Sequence, residues 1–285
     1  MYFCGTIKYM KIKAFKPKNE LLASVIDCYY LLSRDGTEPD TTYLTFPSVF
    51  SIHSFANNFT ITQTDSRYII QQGQKHRFFS DVVCRFNHPM CFEYRGAMNE
   101  ITIYYKPLGL NAFLDRELSS YPEGIMSRFI PFSDFEDAIS LILDIKNEYE
   151  KVNALENYLL AKYKGFSHAF LPQFIEDLTE DIEGISIGDL CLKYGVSQKT
   201  VIKHFEKHLC KTPVEFRKII RFRKAMNKFQ QQEEQLSMTE LSYILNYFDQ
   251  SHLIREFKSL TGYTPIQFFK RISPMESGKI NWIFL

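Results

Sequence analysis

The chain has 285 residues, of which 45% are hydrophobic and 24% charged, with a formal net charge of +1. This length accommodates two domains, and the composition is that of a globular protein, which excludes a disordered or collagen-like chain. No run reaches the 18 apolar residues of a membrane span, and Lys8, Lys11 and Lys13 break up the N-terminus before the apolar stretch of a secretory signal forms, so the expectation is a cytoplasmic protein with no membrane partner. The six cysteines (Cys4, Cys28, Cys84, Cys91, Cys191 and Cys210) show no C-x-x-C or zinc-type spacing and read as free thiols of a reducing compartment.

Residues 1–132 read as one β-rich domain. Short segments of β-branched and aromatic residues recur at Ser24–Leu32, Thr42–Phe46, Phe50–Phe55, Phe59–Thr64, Tyr68–Gln71, Val82–Phe86, Cys91–Tyr94 and Ile101–Tyr105. Asp35-Gly36, Asn57-Asn58, Gln72-Gly73 and Arg95-Gly96 separate several of them, a pattern that predicts a small barrel or sandwich. The aromatic residues on these strands, including Tyr43, Phe46, Phe92, Tyr94 and Tyr104, predict either plain core packing or an aromatic-lined ligand cavity.

Residues 133–168 follow as a helical region. Phe135 to Lys164 carries one apolar stripe through Phe135, Ile139, Ile142 and Leu143 and a second through Val152, Leu155 and Leu159. The stripes fit equally a helix packed on the β-domain and a dimerisation helix. Gly165-Phe166-Ser167 marks a boundary, and a helix from Ala169 to Asp181 opens the last domain, 169–272.

In that domain, Ser237 to Leu245 reads as a short amphipathic helix and Asn246 as a turn residue that tolerates positive φ. Asp249 stands where an N-cap belongs, Leu253, Phe257 and Leu260 recur at helical spacing, and Gly262 is a helix stop. Helix, turn and helix with a basic outer face is the pattern of a DNA-binding hairpin, although a single copy would read as an ordinary surface hairpin. A second copy decides the matter. FEKHLCKTP at Phe205–Pro213 returns as FKSLTGYTP at Phe257–Pro265, 52 residues on, and Tyr194–Phe205 supplies the matching turn at Gly195 and cap at Ser197. A long helix from Val214 to about Gln230 joins the copies. Residues 185–272 hold 15 Lys and Arg against 8 Asp and Glu, a local excess that reads as an electrostatic footprint for phosphate.

With these words in place the sequence resembles the AraC/XylS family of bacterial transcription regulators over roughly Leu171 to Arg271. The matching residues are Gly195-Val196-Ser197, Phe205, Thr212-Pro213, Asp249-Gln250-Ser251-His252, Arg255, Phe257-Lys258, Gly262 and Thr264-Pro265. Asn246 replaces the family's turn glycine, and Cys210 stands in the first repeat where Gly262 stands in the second, which predicts a less sharp helix end. The resemblance implies an α+β chain: a cupin-like, β-rich domain that senses or dimerises, then an all-α domain with two helix-turn-helix motifs joined by a long helix. It implies double-stranded DNA as partner, with a small-molecule effector, RNA polymerase and a second copy of the chain as further candidates. Base-reading positions fall on Gln198, Lys199, Thr200, Ile202 and Lys203 in the first recognition helix, with His204 beside them, and on Gln250, Ser251, His252 and Arg255 in the second. Lys207, Lys211, Arg217, Lys218 and Lys258 are candidates for phosphate contact or plain solvation.

No nucleophile elbow, phosphate loop or paired-carboxylate pattern appears, so no catalytic residue and no cofactor are expected. His53, His76, His88 and His168 stand apart from one another in sequence and read as polar or structural residues, not metal ligands. The rival to a regulator is a cupin-type binding protein or enzyme with an appended helical domain. The tail, 273–285, holds the only tryptophan, Trp282, among Ile280, Ile283, Phe284 and Leu285. It predicts docking, either locally around Phe268 and Phe269 or as a bridge to the N-terminal domain or a second copy.

Overall fold

The apolar runs around Tyr30 and Ile103 form the two central strands of a six-stranded sheet. In the computed structural model, which describes residues 3–7, 10–73, 77–180, 184–231, 249–274 and 281–285, this sheet has the order β1 (Phe3–Ile7), β2 (Met10–Phe15), β3 (Ile26–Asp35), β10 (Ala97–Tyr105), β5 (Ser51–Asn57) and β8 (Phe78–Val83). Every pairing in it is antiparallel. A second six-stranded sheet runs β11 (Ser273–Pro274), β12 (Asn281–Phe284), β4 (Thr41–Thr45), β9 (Met90–Arg95), β7 (Tyr68–Gln72) and β6 (Phe59–Gln63), with β7 and β9 parallel.

The side-chain period of two explains why β3 and β10 are apolar on consecutive positions. Cys28, Tyr30 and Leu32 point between the sheets, where they meet Tyr43, Phe92, Tyr94 and Tyr104. Tyr29, Leu31, Ile101 and Ile103 point to the other face, which helices cover. The cover is α2 (Phe135–Asp144) and α3 (Glu148–Lys162), whose buried Phe135, Ile139, Val152, Leu155 and Leu159 join that second core. Their apolar stripes are therefore spent on the chain's own β-domain.

The helical region read over 135–164 divides into two helices, because Asn147 caps a new start: its side chain accepts from the N–H groups of Tyr149 and Glu150. One local expectation is corrected. The strand foreseen from Ser24 begins at Ile26, since Asn19 caps a short helix, α1 (Glu20–Val25), in front of it. β1 and β2 add an edge that the strand pattern does not announce.

The helical half is built from α4 (Leu171–Glu180), α5 (Ile187–Lys193), α6 (Gln198–Leu209), α7 (Pro213–Gln231), α8 (Gln250–Thr261) and α9 (Pro265–Phe269). α7 serves two cores. Phe216 and Ile220 pack with Phe174 of α4, Leu190 of α5, and Val201 and Phe205 of α6. Ile219, Phe222, Ala225 and Met226 pack with Leu253, Phe257 and Leu260 of α8 and Phe268 of α9. The expected helix at Ser237–Leu245 and the turn at Asn246 lie outside the described residues.

The tail bridges the two halves. β12 pairs antiparallel with β4, Ile283 opposite Leu44 and Phe284 opposite Tyr43, and the N–H of Leu285 donates to the carbonyl of Thr42 at 3.0 Å. Alternation then sends neighbouring side chains into different cores. Trp282 enters the space between the sheets, stacked on Tyr43 at 4.2 Å between ring centroids, while Ile283 joins the core of α7, α8 and α9. Arg223 of α7 fastens the same corner by donating to the carbonyls of Phe46 and Pro47 at 2.7 and 2.9 Å.

Candidate nucleic-acid interface, inter-sheet cavity and histidine cluster

The 52-residue repeat holds at the level of hydrogen bonds. Ser197 caps α6 by accepting from Thr200 N–H at 3.1 Å, and Asp249 caps α8 by accepting from His252 N–H at 2.6 Å. Val201 and Phe205 in α6, like Leu253 and Phe257 in α8, are buried at i and i+4. Both helices end in the left-handed conformation, at Cys210 with φ 54° and at Gly262 with φ 78°. Their N–H groups close back on Glu206 and Lys258 at 3.2 and 2.8 Å. The end at Cys210 is therefore as sharp as its glycine counterpart, against expectation. Thr212 with Glu215 and Thr264 with Gln267 then form matching capping bonds on the next helices.

This frame decides which side chains face outward. Gln198, Lys199 and Lys203 are exposed, Thr200 is half-buried, and Ile202 is 41% exposed, high for an isoleucine not needed by the core. On α8, Gln250, Ser251, Arg255 and Lys258 are exposed. His252 is half-buried, with Nε2 3.3 Å from a carboxylate oxygen of Glu256 one turn on. The base-reading candidates thus fall on two equivalent helix faces.

The phosphate candidates divide differently. Lys258 is exposed. Arg217 is half-buried and donates to the carbonyl of Ile185 at 3.4 Å. Lys218 ties α7 to α8 through Ser259 Oγ at 2.5 Å. Lys207 pairs with Glu117 of the β-domain, whose carboxyl that ammonium holds below the usual range. Lys211 requires a correction. It is 3% exposed and its ammonium donates to the carbonyl of Cys84, so it faces the β-domain, not a phosphate. The same loop of the β-domain, between β8 and β9, takes both repeats: Arg85 Nε donates to the carbonyl of Cys210 at 2.9 Å, and Pro89 is the nearest neighbour of the space beside Gly262, at 4.0 Å.

Between the sheets lies a cavity of about 60 Å³, lined by Tyr30, Tyr43, Tyr94, Tyr104, Phe92 and Trp282 with the acids Asp81 and Glu100 at its wall. Burial raises both carboxyls, Asp81 to about 6 even though it accepts backbone N–H bonds from Met126 and Arg128. A more open groove of about 370 Å³ shares Ile61, Phe79 and Asp81 with it and is rimmed by Arg77 and Arg128. The inner cavity is the size of a few water molecules and is walled mainly by aromatic side chains, Trp282 among them.

Sequence distance concealed a third assembly. His168, expected to stand alone, lies with His204 and His208 of α6, one ring nitrogen of each within 4.8 Å of the others. His168 Nε2 is 3.0 Å from His204 Nδ1, so His204 faces the interdomain segment and not outward beside Lys203. Burial, and then the neighbouring imidazoles, push His208 down to about 4. The i, i+4 pair on α6 was visible in the sequence; the approach of residue 168 was not.

Residues 190–271 match the helix-turn-helix domain family. No curated protein sequence matches the chain. Among solved structures, an AraC family transcriptional regulator from Rhodopseudomonas palustris is similar at 22% identity, covering 37% of this chain and 97% of its own, with a TM-score of 0.33. ToxT from Vibrio cholerae in an unsaturated-fatty-acid-bound form is similar at 13% identity, covering 93% of this chain and 96% of its own, with a TM-score of 0.41. Among the described residues no helix is long and apolar enough to cross a membrane. With its tandem caps, paired left-handed helix ends and the family match over the same stretch, the C-terminal part of this chain is a helix-turn-helix domain.

Proposed function

We propose that the chain is a sequence-specific DNA-binding transcription regulator in which residues 169–272 grip double-stranded DNA. The observation that carries this reading is the pair of equivalent helix faces, Lys199, Ile202 and Lys203 on α6 and Gln250, Ser251 and Arg255 on α8, each exposed on a rigid, capped helix. Ile202 meets a thymine methyl, and Arg255 grips guanine through two hydrogen bonds. α7 spaces the two helices to enter successive major grooves about 34 Å apart. Lys258 contacts phosphate.

Arg255→Ala is expected to weaken binding to the preferred sequence by about 1–3 kcal/mol and to relax base preference at one position. Lys258→Ala should weaken all sequences evenly. Gel shifts on a preferred and a scrambled site check this, and equal losses for both variants on both DNAs would refute the division of roles.

The β-domain is proposed as the effector domain. Its inner cavity and outer groove adjoin at Ile61, Phe79 and Asp81, and Trp282 walls the inner cavity on the side of β12. An apolar effector entering there displaces Trp282, loosens β12 from β4 and so alters how α7 to α9 are held. Quenching of the single tryptophan by a bound effector reads this directly.

A further inference from the structure

We propose that His168, His204 and His208 form a binding site for a divalent metal ion of the zinc type, which clamps the first recognition helix to the segment between the domains. His204 and His208 are one turn apart on α6 and present their rings on one side, 6.1 Å apart and within 10° of parallel. His168 arrives from the turn before α4, its ring 4.6 Å from His204 and 5.5 Å from His208. A zinc–imidazole bond of about 2.0–2.1 Å in a tetrahedral site requires ligand nitrogens roughly 3.3 Å apart. The 3.0 Å already found between His168 and His204, and the mutual reach of all three within 4.8 Å, need only small ring movements to meet that.

The surroundings hold the rings. Phe166 and Phe170 pack against them, at 5.2 Å from His208 and 4.9 Å from His168. Asn111 of the β-domain supplies an outer partner: its Oδ1 lies 3.2 Å from His208 Nδ1 while its amide donates to the carbonyl of His208 at 2.8 Å. The amide so oriented sets the proton of His208 on Nδ1 and leaves Nε2 bare for a metal, the usual outer-sphere arrangement of a ligating histidine. Three imidazoles with no carboxylate suit zinc, nickel or copper and not magnesium or calcium. The rings are half-buried, so water takes the fourth position. The nearby cations are Lys203 and Lys207 of α6, and Glu117 pairs the latter.

His168 must change partners on loading. Its Nδ1 accepts from the N–H groups of Phe170 and Leu171 at 3.4 and 3.2 Å, which places the ring proton on Nε2 and directs it to His204. On loading, the ring proton shifts from Nε2 to Nδ1, so that Nε2 is free to take the metal and Nδ1 can no longer accept from the start of α4. Loading thus gives up the bonds to α4 and replaces the hydrogen bond to His204 by a metal shared with α6.

The test uses the full-length protein without an affinity tag, freed of metal by chelator and titrated with zinc by calorimetry and with cobalt by visible absorption. One ion per chain and the absorption of a four-coordinate cobalt site are expected. Asn111→Ala should weaken zinc about 10–100-fold, His168→Asn, His204→Asn and His208→Asn each by more, and His88→Asn not at all. No saturable zinc binding, a six-coordinate cobalt spectrum, or affinity untouched by the three histidine changes would overturn the proposal. If a histidine variant does not fold, the cobalt spectrum and stoichiometry of the unaltered chain decide alone.

Discussion

Trp282→Ala is expected to destabilise the protein by about 3–5 kcal/mol, the range for removing a fully buried large aromatic side chain. The indole is 2% exposed, stacked on Tyr43 at 4.2 Å and set edge-on to Tyr30 at 6.1 Å. Removing it opens the inner cavity and strips β12 of its main anchor, leaving the short pairing with β4 and the contacts of Ile283. The loss reaches beyond the β-domain because the next residue along the same strand belongs to the other core. Denaturant unfolding followed by circular dichroism should show a lower midpoint, with the helical half and the β-domain separating into distinct transitions. A loss below about 1 kcal/mol with a single unshifted transition would mean that the tail does not hold the halves together.

The second large effect is on DNA affinity. Lys258 at a phosphate, the base-reading Lys199, Lys203 and Arg255, whose charges also enter the counterion atmosphere of the duplex, and neighbours on α7 together imply about four to six phosphate charges neutralised. At about −0.9 per phosphate, the slope of log affinity against log salt is then about −3.6 to −5.4, a fall of roughly 10²–10³-fold between 50 and 200 mM salt. Lys211 contributes nothing to this slope, since its charge is turned into the β-domain, and Lys207 contributes only as it leaves Glu117. A slope shallower than about −1 would contradict a phosphate-bound interface.

What could be read from the sequence was what is local. Caps, turn residues and apolar spacing at i and i+4 belong to one segment each, and Ser197, Asp249, Gly195 and Gly262 all take the conformations their chemistry favours. Repetition made them specific: the same devices 52 residues apart could not be chance. Cys210 shows the limit of residue preference. Packing in the core that holds Cys84 of the β-domain and the closing bond to Glu206 hold a non-glycine residue in the left-handed region, at a cost of about 1–3 kcal/mol. What escaped was what depends on distant elements meeting. Lys211, in the turn after α6, and Lys258, on α8, are both basic residues of the repeats, yet one is buried under a loop of the β-domain and the other exposed. His168 became a partner of α6 only through the turn that precedes α4. The bridging tail was one of two open readings, and alternation along β12 decided it, because a strand between two cores feeds both.

The most direct test of the central claim is selection of bound sequences from a random double-stranded DNA pool by the full-length protein at moderate salt. The account predicts enrichment of a bipartite motif whose halves are about one helical turn, 10–10.5 base pairs, apart, with Arg255→Ala blurring one half and Lys203→Ala the other. Recovery of a pool no richer in any sequence than the input, at concentrations where the protein binds the DNA, would contradict it.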